Sequence, residues 1–145
     1  MHKIENTPKI VTIIGLVLEG FGAVMLTLMA VLFSLLEEIP GMSESIAEMP
    51  PEELEAYEFF MGILLVFLIV MAVIITTMFI VNLVLFTKLI KGEFTEAQAR
   101  KVYLYQAIYG GINIIFNTVV GILYLVSGIQ GYSGQPDRID TREGI

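Results

Sequence analysis

Apolar residues fill three long stretches of the chain, residues 10–36, 59–87 and 102–129, and Glu19 is the one charge inside them. A helix needs about 20 apolar residues to cross the hydrocarbon core of a bilayer. Each stretch therefore suffices for one crossing. The pattern predicts an all-α fold, an integral membrane helical bundle of three transmembrane helices with a short acidic extracytoplasmic loop. Residues 1–145 would form a single membrane domain: three spans, an outer loop over 37–58, an inner loop over 88–101 and a short polar tail over 130–145. The third stretch holds 28 residues, and two crossings would need about 40, so it is read as one helix. The first is too long for the apolar part of a signal peptide, about 7–15 residues, and Ser34-Leu35-Leu36-Glu37 is a poor cleavage site. It is read as a retained span.

The polar punctuation refines the boundaries. Pro40-Gly41 is a turn signal that closes the first helix. Pro50-Pro51 followed by Glu52 and Glu53 suits a helix start, because proline fits the first turn and acids favour the positive helix end. The second helix is thus expected to begin near Pro51, ahead of its apolar stretch. Lys91-Gly92 suits a helix C-terminus. Thr95-Glu96-Ala97-Gln98 fits a capping box, which starts the next helix near Glu96. Tyr103, Tyr105 and Tyr109 fall where aromatic residues line a membrane interface.

Charge orients the spans. Lys3 and Lys9 precede the first; the outer loop has eight glutamates and no Lys or Arg; the inner loop holds Lys88, Lys91, Arg100 and Lys101. Positive residues mark the cytoplasmic side. The N-terminus is expected in the cytoplasm of a cell-membrane protein, the acidic loop outside, and after three spans the C-terminus outside. The tail mixes Asp137, Arg138, Asp140, Arg142 and Glu143 and does not vote.

Composition removes several function classes. Hydrophobic residues make up 56% and charged residues 16%, which leaves little for a water-soluble core. The net charge of −7 argues against nucleic acid, whose phosphates need clustered Lys and Arg. Cysteine is absent, so no disulfide, thiol nucleophile or cysteine metal site is expected. The acidic loop lacks the Asp/Asn-rich spacing of a calcium loop and reads as a solvated surface. Met25, Met29, Met71 and Met78 read as packing residues, since no other soft ligand pairs with them. His2 reads as a solvated terminal residue. No phosphate loop, catalytic triad or zinc spacing is present, so no catalytic residue, metal or cofactor is expected.

The candidate polar centre is Glu19, nine residues into the first stretch and so about 14 Å along a helix. An acid near mid-membrane costs on the order of 2.5–3.5 kcal/mol on insertion scales, so it should face protein or water. It shares a stripe with Thr12, Gly15 and Gly22. The third stretch carries a longer one: Gln106, Gly110, Asn113, Asn117, Gly121, Tyr124 and Gly128, spaced by threes and fours. Such small residues let helices approach closely. Counting from the stretch ends places Asn113 and Thr76 or Thr77 in the layer of Glu19, Asn117 one turn outward, and Gln106 and Asn82 toward the cytoplasm. Gly15, Gly22, Gly110, Gly121 and Gly128 would be the helix-packing stripe.

Two motifs carry a resemblance. Ile13-Ile14-Gly15-Leu16-Val17-Leu18 followed by Gly20-Phe21-Gly22-Ala23, and Gly121-Ile122-Leu123-Tyr124-Leu125-Val126-Ser127-Gly128-Ile129, resemble the opening and ending of small uncharacterised bacterial multi-pass membrane proteins of a domain-of-unknown-function family. That resemblance implies no activity and carries over no catalytic residue. The lone Glu in the first span is also similar to that of the small multidrug exporters, which have four short spans in a smaller chain. Two functions are expected to compete. One is a non-enzymatic packing or accessory component, held by a polar latch, with the lipid bilayer, a second copy or a larger membrane protein as partner. The other is a small oligomeric proton- or cation-coupled transporter or channel that uses Glu19.

Overall fold

A computed structural model of the chain describes residues 1–134 in full and the helical backbone of residues 135–143. Among them are five α-helices and no strand: α1 (Asn6–Ser34), α2 (Met42–Ala47), α3 (Pro51–Ile90), α4 (Glu96–Phe116) and α5 (Thr118–Glu143), with a 3-10 turn at Leu36–Glu38. Two of them, α1 with 29 residues and α3 with 40, are long and apolar enough to cross a membrane. The side chains of the mixed-charge tail lie outside the described residues.

The predicted helix ends are largely found. α3 starts at Pro51 with Glu52 and Glu53 in its first turn. It stops where Gly92 takes φ 72°, a left-handed conformation that favours glycine. The Glu93 amide reaches back to the Lys88 carbonyl at 3.0 Å and the Gly92 amide to that of Leu89 at 3.2 Å, closing the helix end. α4 opens with the expected capping box: the Gln98 amide donates to the Thr95 hydroxyl and the Thr95 amide to the Gln98 side chain.

The third stretch differs from expectation. It is not one helix over 102–129. α4 ends at Phe116, Asn117 is extended at φ −144° and ψ 90°, and α5 begins at Thr118. The two helices then pack antiparallel. A Cβ added at Gly121 would lie 2.5 Å from the Ile114 nitrogen, and one at Gly128 2.5 Å from that of Ala107. Further from the bend, Gly131 lies against the Tyr103 ring, and the Arg100 guanidinium sits 4.7 Å from the Tyr132 ring centre. Asn117 bonds to both sides of this reversal. Its backbone amide donates to the Asn113 carbonyl at 2.6 Å, ending α4, and its side-chain oxygen accepts from the Val120 amide at 3.4 Å, capping α5.

The chain forms two compact units, residues 1–20 with 79–145, and residues 21–78. The first contains a core of Leu16, Phe86, Leu89, Ala99, Tyr103, Val120 and Tyr124. In the second, the Thr27 hydroxyl bonds to the Ala23 carbonyl, and Thr27, Ala30, Ala72 and Thr76 line an apolar groove. Large apolar side chains face outward in both: Val17 is 65% exposed and Phe67 58%.

Candidate functional site

Glu19 sits in the first unit and is only 5% exposed. Its partner comes from α3. The Asn82 side-chain amide donates to both carboxylate oxygens, at 2.9 and 3.1 Å. The Tyr105 hydroxyl on α4 donates to the Asn82 side-chain oxygen at 2.6 Å. One fully buried asparagine thus joins three helices, with its donor turned to the acid and its acceptor to the phenol.

Aromatic rings wall the cluster. Tyr105 and Tyr109 stack at 5.9 Å between centroids, Tyr109 lies 6.0 Å from Tyr124, and Phe86 meets Tyr124 edge-on at 5.1 Å. The Tyr109 and Tyr124 hydroxyls turn toward the same carboxylate. That of Tyr124 stops short of hydrogen-bonding geometry and is buried without a partner. Gly15 makes room for this ring: a Cβ there would lie 2.5 Å from Tyr124 Cε1.

A second polar knot lies two α1 turns nearer the N-terminus. The Gln106 amide donates to the Thr12 hydroxyl at 2.8 Å, Thr12 and Ser127 share a hydrogen bond of 2.7 Å, and the Ser127 hydroxyl reaches the Pro8 carbonyl at 3.1 Å. The Gln106 side-chain oxygen is left buried without a partner.

His2 departs from expectation. It is 1% exposed rather than solvated. One ring nitrogen contacts a Glu96 carboxylate oxygen at 3.0 Å and the other the Tyr103 hydroxyl at 2.8 Å, while its backbone amide donates to the Phe94 carbonyl at 2.7 Å. The N-terminal segment is thereby pinned to the start of α4.

The structure brings together only part of the predicted centre. Glu19 is its focus, but the bonded partner is Asn82, which residue counting places nearer the cytoplasm. Asn113 turns to the Tyr109 carbonyl on its own helix at 3.1 Å. Asn117 is spent on the bend. The Thr77 hydroxyl is tied to the Val73 carbonyl at 2.8 Å, and Thr76 lines the groove of the other unit. The counting fails because α3 runs three residues past Thr87 and because the third stretch is folded back on itself. Among the glycines, Gly15 packs against α5, and Gly110, Gly121 and Gly128 join α4 to α5 within one hairpin; Gly22 is half-buried. Comparison with family models, with curated proteins and with solved structures found no match, so the resemblance in the two glycine motifs rests on those residues alone.

Proposed function

We propose that the chain is a multi-pass integral membrane protein serving as a non-enzymatic packing or accessory component of a membrane assembly. One observation carries this reading. The polar side chains inside the apolar stretches of the first unit are largely spent on one another, through Glu19, Asn82 and Tyr105 and through Thr12, Gln106 and Ser127, while large apolar side chains face outward. In lipid, polar side chains bonded across helices act as glue rather than as surface.

The same reading supplies a topology. α1 and α3 cross the cell membrane with the acidic loop outside. The α4–α5 hairpin enters from the basic cytoplasmic side and returns to it, so both termini are cytoplasmic, in place of the outside C-terminus that three spans would give. The tip supports this: Ile115 is 83% exposed, and Phe116 and Val119 also face outward. Turns in water are built from polar residues and glycine; this one is apolar and suits hydrocarbon. A break in a helix at that depth requires its freed backbone groups to be satisfied locally, and Asn117 serves both sides of it.

Mild detergent extraction tests the role. The reading expects the 16.1 kDa chain in a stoichiometric complex with itself or another membrane protein, and expects Glu19→Gln to keep that complex, since Gln still bonds to Asn82. A monomeric chain that carries proton or cation flux in liposomes, lost in folded Glu19→Gln, would replace it with the transporter reading. Topology is tested by single cysteines, which the cysteine-free chain allows without background. Ser133→Cys should react with an impermeant reagent only from the cytoplasmic side, and Ser45→Cys only from outside. Labelling of Ser133→Cys from outside would restore the three-span arrangement.

A further inference from the structure

Glu19 has more bonding capacity than its neighbours use. A carboxylate offers about four lone-pair sites, and the bonds that reach it come from a single amide nitrogen of Asn82. Among the described residues no cationic side chain pairs with it. The groups facing it are neutral on every element: Asn82 from α3, Tyr105 and Tyr109 from α4, and Tyr124 from α5. Tyr124 is fully buried, and its hydroxyl lies near the carboxyl without a hydrogen bond of its own. An unpaired charge in such surroundings is costly, and so is a buried hydroxyl left without a partner.

We infer that Glu19 is a reversible proton-binding site and that Tyr124 completes it. In the loaded form the proton sits on one carboxyl oxygen and is donated to the Tyr124 hydroxyl oxygen, while Asn82 still donates to the other oxygen. In the empty form the proton has left for water, and the Tyr109 and Tyr124 hydroxyls turn to donate to the carboxylate. No bond between heavy atoms changes, because a phenol can accept or donate by rotating its O–H. The ligand is a proton rather than a divalent cation. Calcium takes six to eight oxygens and magnesium six, whereas with the Tyr105 hydroxyl and the Asn82 side-chain oxygen spent on each other the site is left with two carboxyl and two phenol oxygens. The inference goes beyond the accessory role and does not depend on it.

Infrared difference spectra of the full chain in lipid nanodiscs, recorded between acidic and alkaline buffer, test it. The wild type should show the C=O band of a protonated carboxylic acid that disappears on alkalinisation, and Glu19→Gln should lack that band. Tyr124→Phe should keep the band but move it to higher frequency, because the acid has lost its acceptor. Tyr124→Phe is judged directly against the wild type, so the inference stays testable if Glu19→Gln fails to fold. Only carboxylate bands from Glu19 at every pH at which the chain stays folded would overturn it. So would a band that Tyr124→Phe leaves in place, or one whose titration moves tenfold in concentration when sodium replaces potassium. Loss of the extracted complex, by contrast, would count against the accessory role alone.

Discussion

Gly110 and Gly111 are neighbours in sequence, and the same substitution at each should act in opposite directions. A Cβ at Gly110 would lie 2.7 Å from the Gly121 carbonyl oxygen and closer still to the Leu125 nitrogen. Both are backbone atoms of α5, so no side-chain rotation relieves the clash. Reaching ordinary contact requires α4 and α5 to part by about 0.7 Å or more, and a gap of about 0.5–1 Å forfeits a quarter to a half of each dispersion contact across it. Overpacking of this kind costs about 1–3 kcal/mol. At Gly111 an added Cβ meets nothing within 4 Å, and Ala is favoured over Gly in a helix by about 0.8–1 kcal/mol. Gly110→Ala should therefore destabilise by about 1–3 kcal/mol, and Gly111→Ala should be neutral or stabilising by up to about 1 kcal/mol. Reversible unfolding in mixed micelles of increasing dodecyl sulfate fraction, followed by circular dichroism, measures both. Equal effects at the two positions, or a neutral Gly110→Ala, would refute the antiparallel packing across the bend.

Asn82→Leu removes both bonds to Glu19 and the acceptor of Tyr105, and should cost about 1–3 kcal/mol in the same assay; a cost no larger than that of Leu83→Ala, which loses an outward-facing side chain, would show that the latch is energetically idle. His2→Ala strips Glu96 and Tyr103 of a buried partner, and hydrogen exchange at the backbone amide of His2 itself, bonded to Phe94, should accelerate severalfold at position 2; unchanged protection would mean that the backbone alone holds the segment. Asn117→Ala deletes the cap of α5 and should cost about 0.5–2 kcal/mol; no loss would mean that the reversal does not need that side chain.

Much of the helix layout is legible because its signals are local. Pro51, Gly92 and the Thr95–Gln98 box each act within one turn of chain, so the starts of α3 and α4 and the end of α3 follow from sequence. The bend at Asn117 is not legible in the same way. Apolar residues continue on both sides of it, no proline or glycine marks it, and the stripe from Gln106 to Gly128 fits one continuous helix face as well as a folded one. A signal is present nonetheless: small residues flank Asn117 on both sides, Ala107 and Gly110 before it and Gly121 and Gly128 after it, and Asn is an efficient N-cap residue. That Glu19 needs shelter from lipid is legible from its depth in an apolar stretch. Its partner is not, because register between helices far apart in sequence depends on how far each extends beyond its apolar part. His2 gives no sequence signal, since its burial comes entirely from the fold of residues around position 100.

The hairpin and the latch differ in how far apart their halves lie along the chain. Contacts across Asn117 start within about eleven residues, as between Gly110 and Gly121, and extend outward from there, whereas 63 residues separate Glu19 from Asn82. Chain entropy alone makes the longer closure costlier by about 1.5 kcal/mol. In the topology proposed above, α1 enters the bilayer before α3 has been made. Until Asn82 arrives, Glu19 stands unsheltered on a lone helix at a cost on the order of 2.5–3.5 kcal/mol. In the proposed topology the first helix is thus inserted provisionally, and a chain truncated before Asn82 leaves its acid without the partner that shelters it.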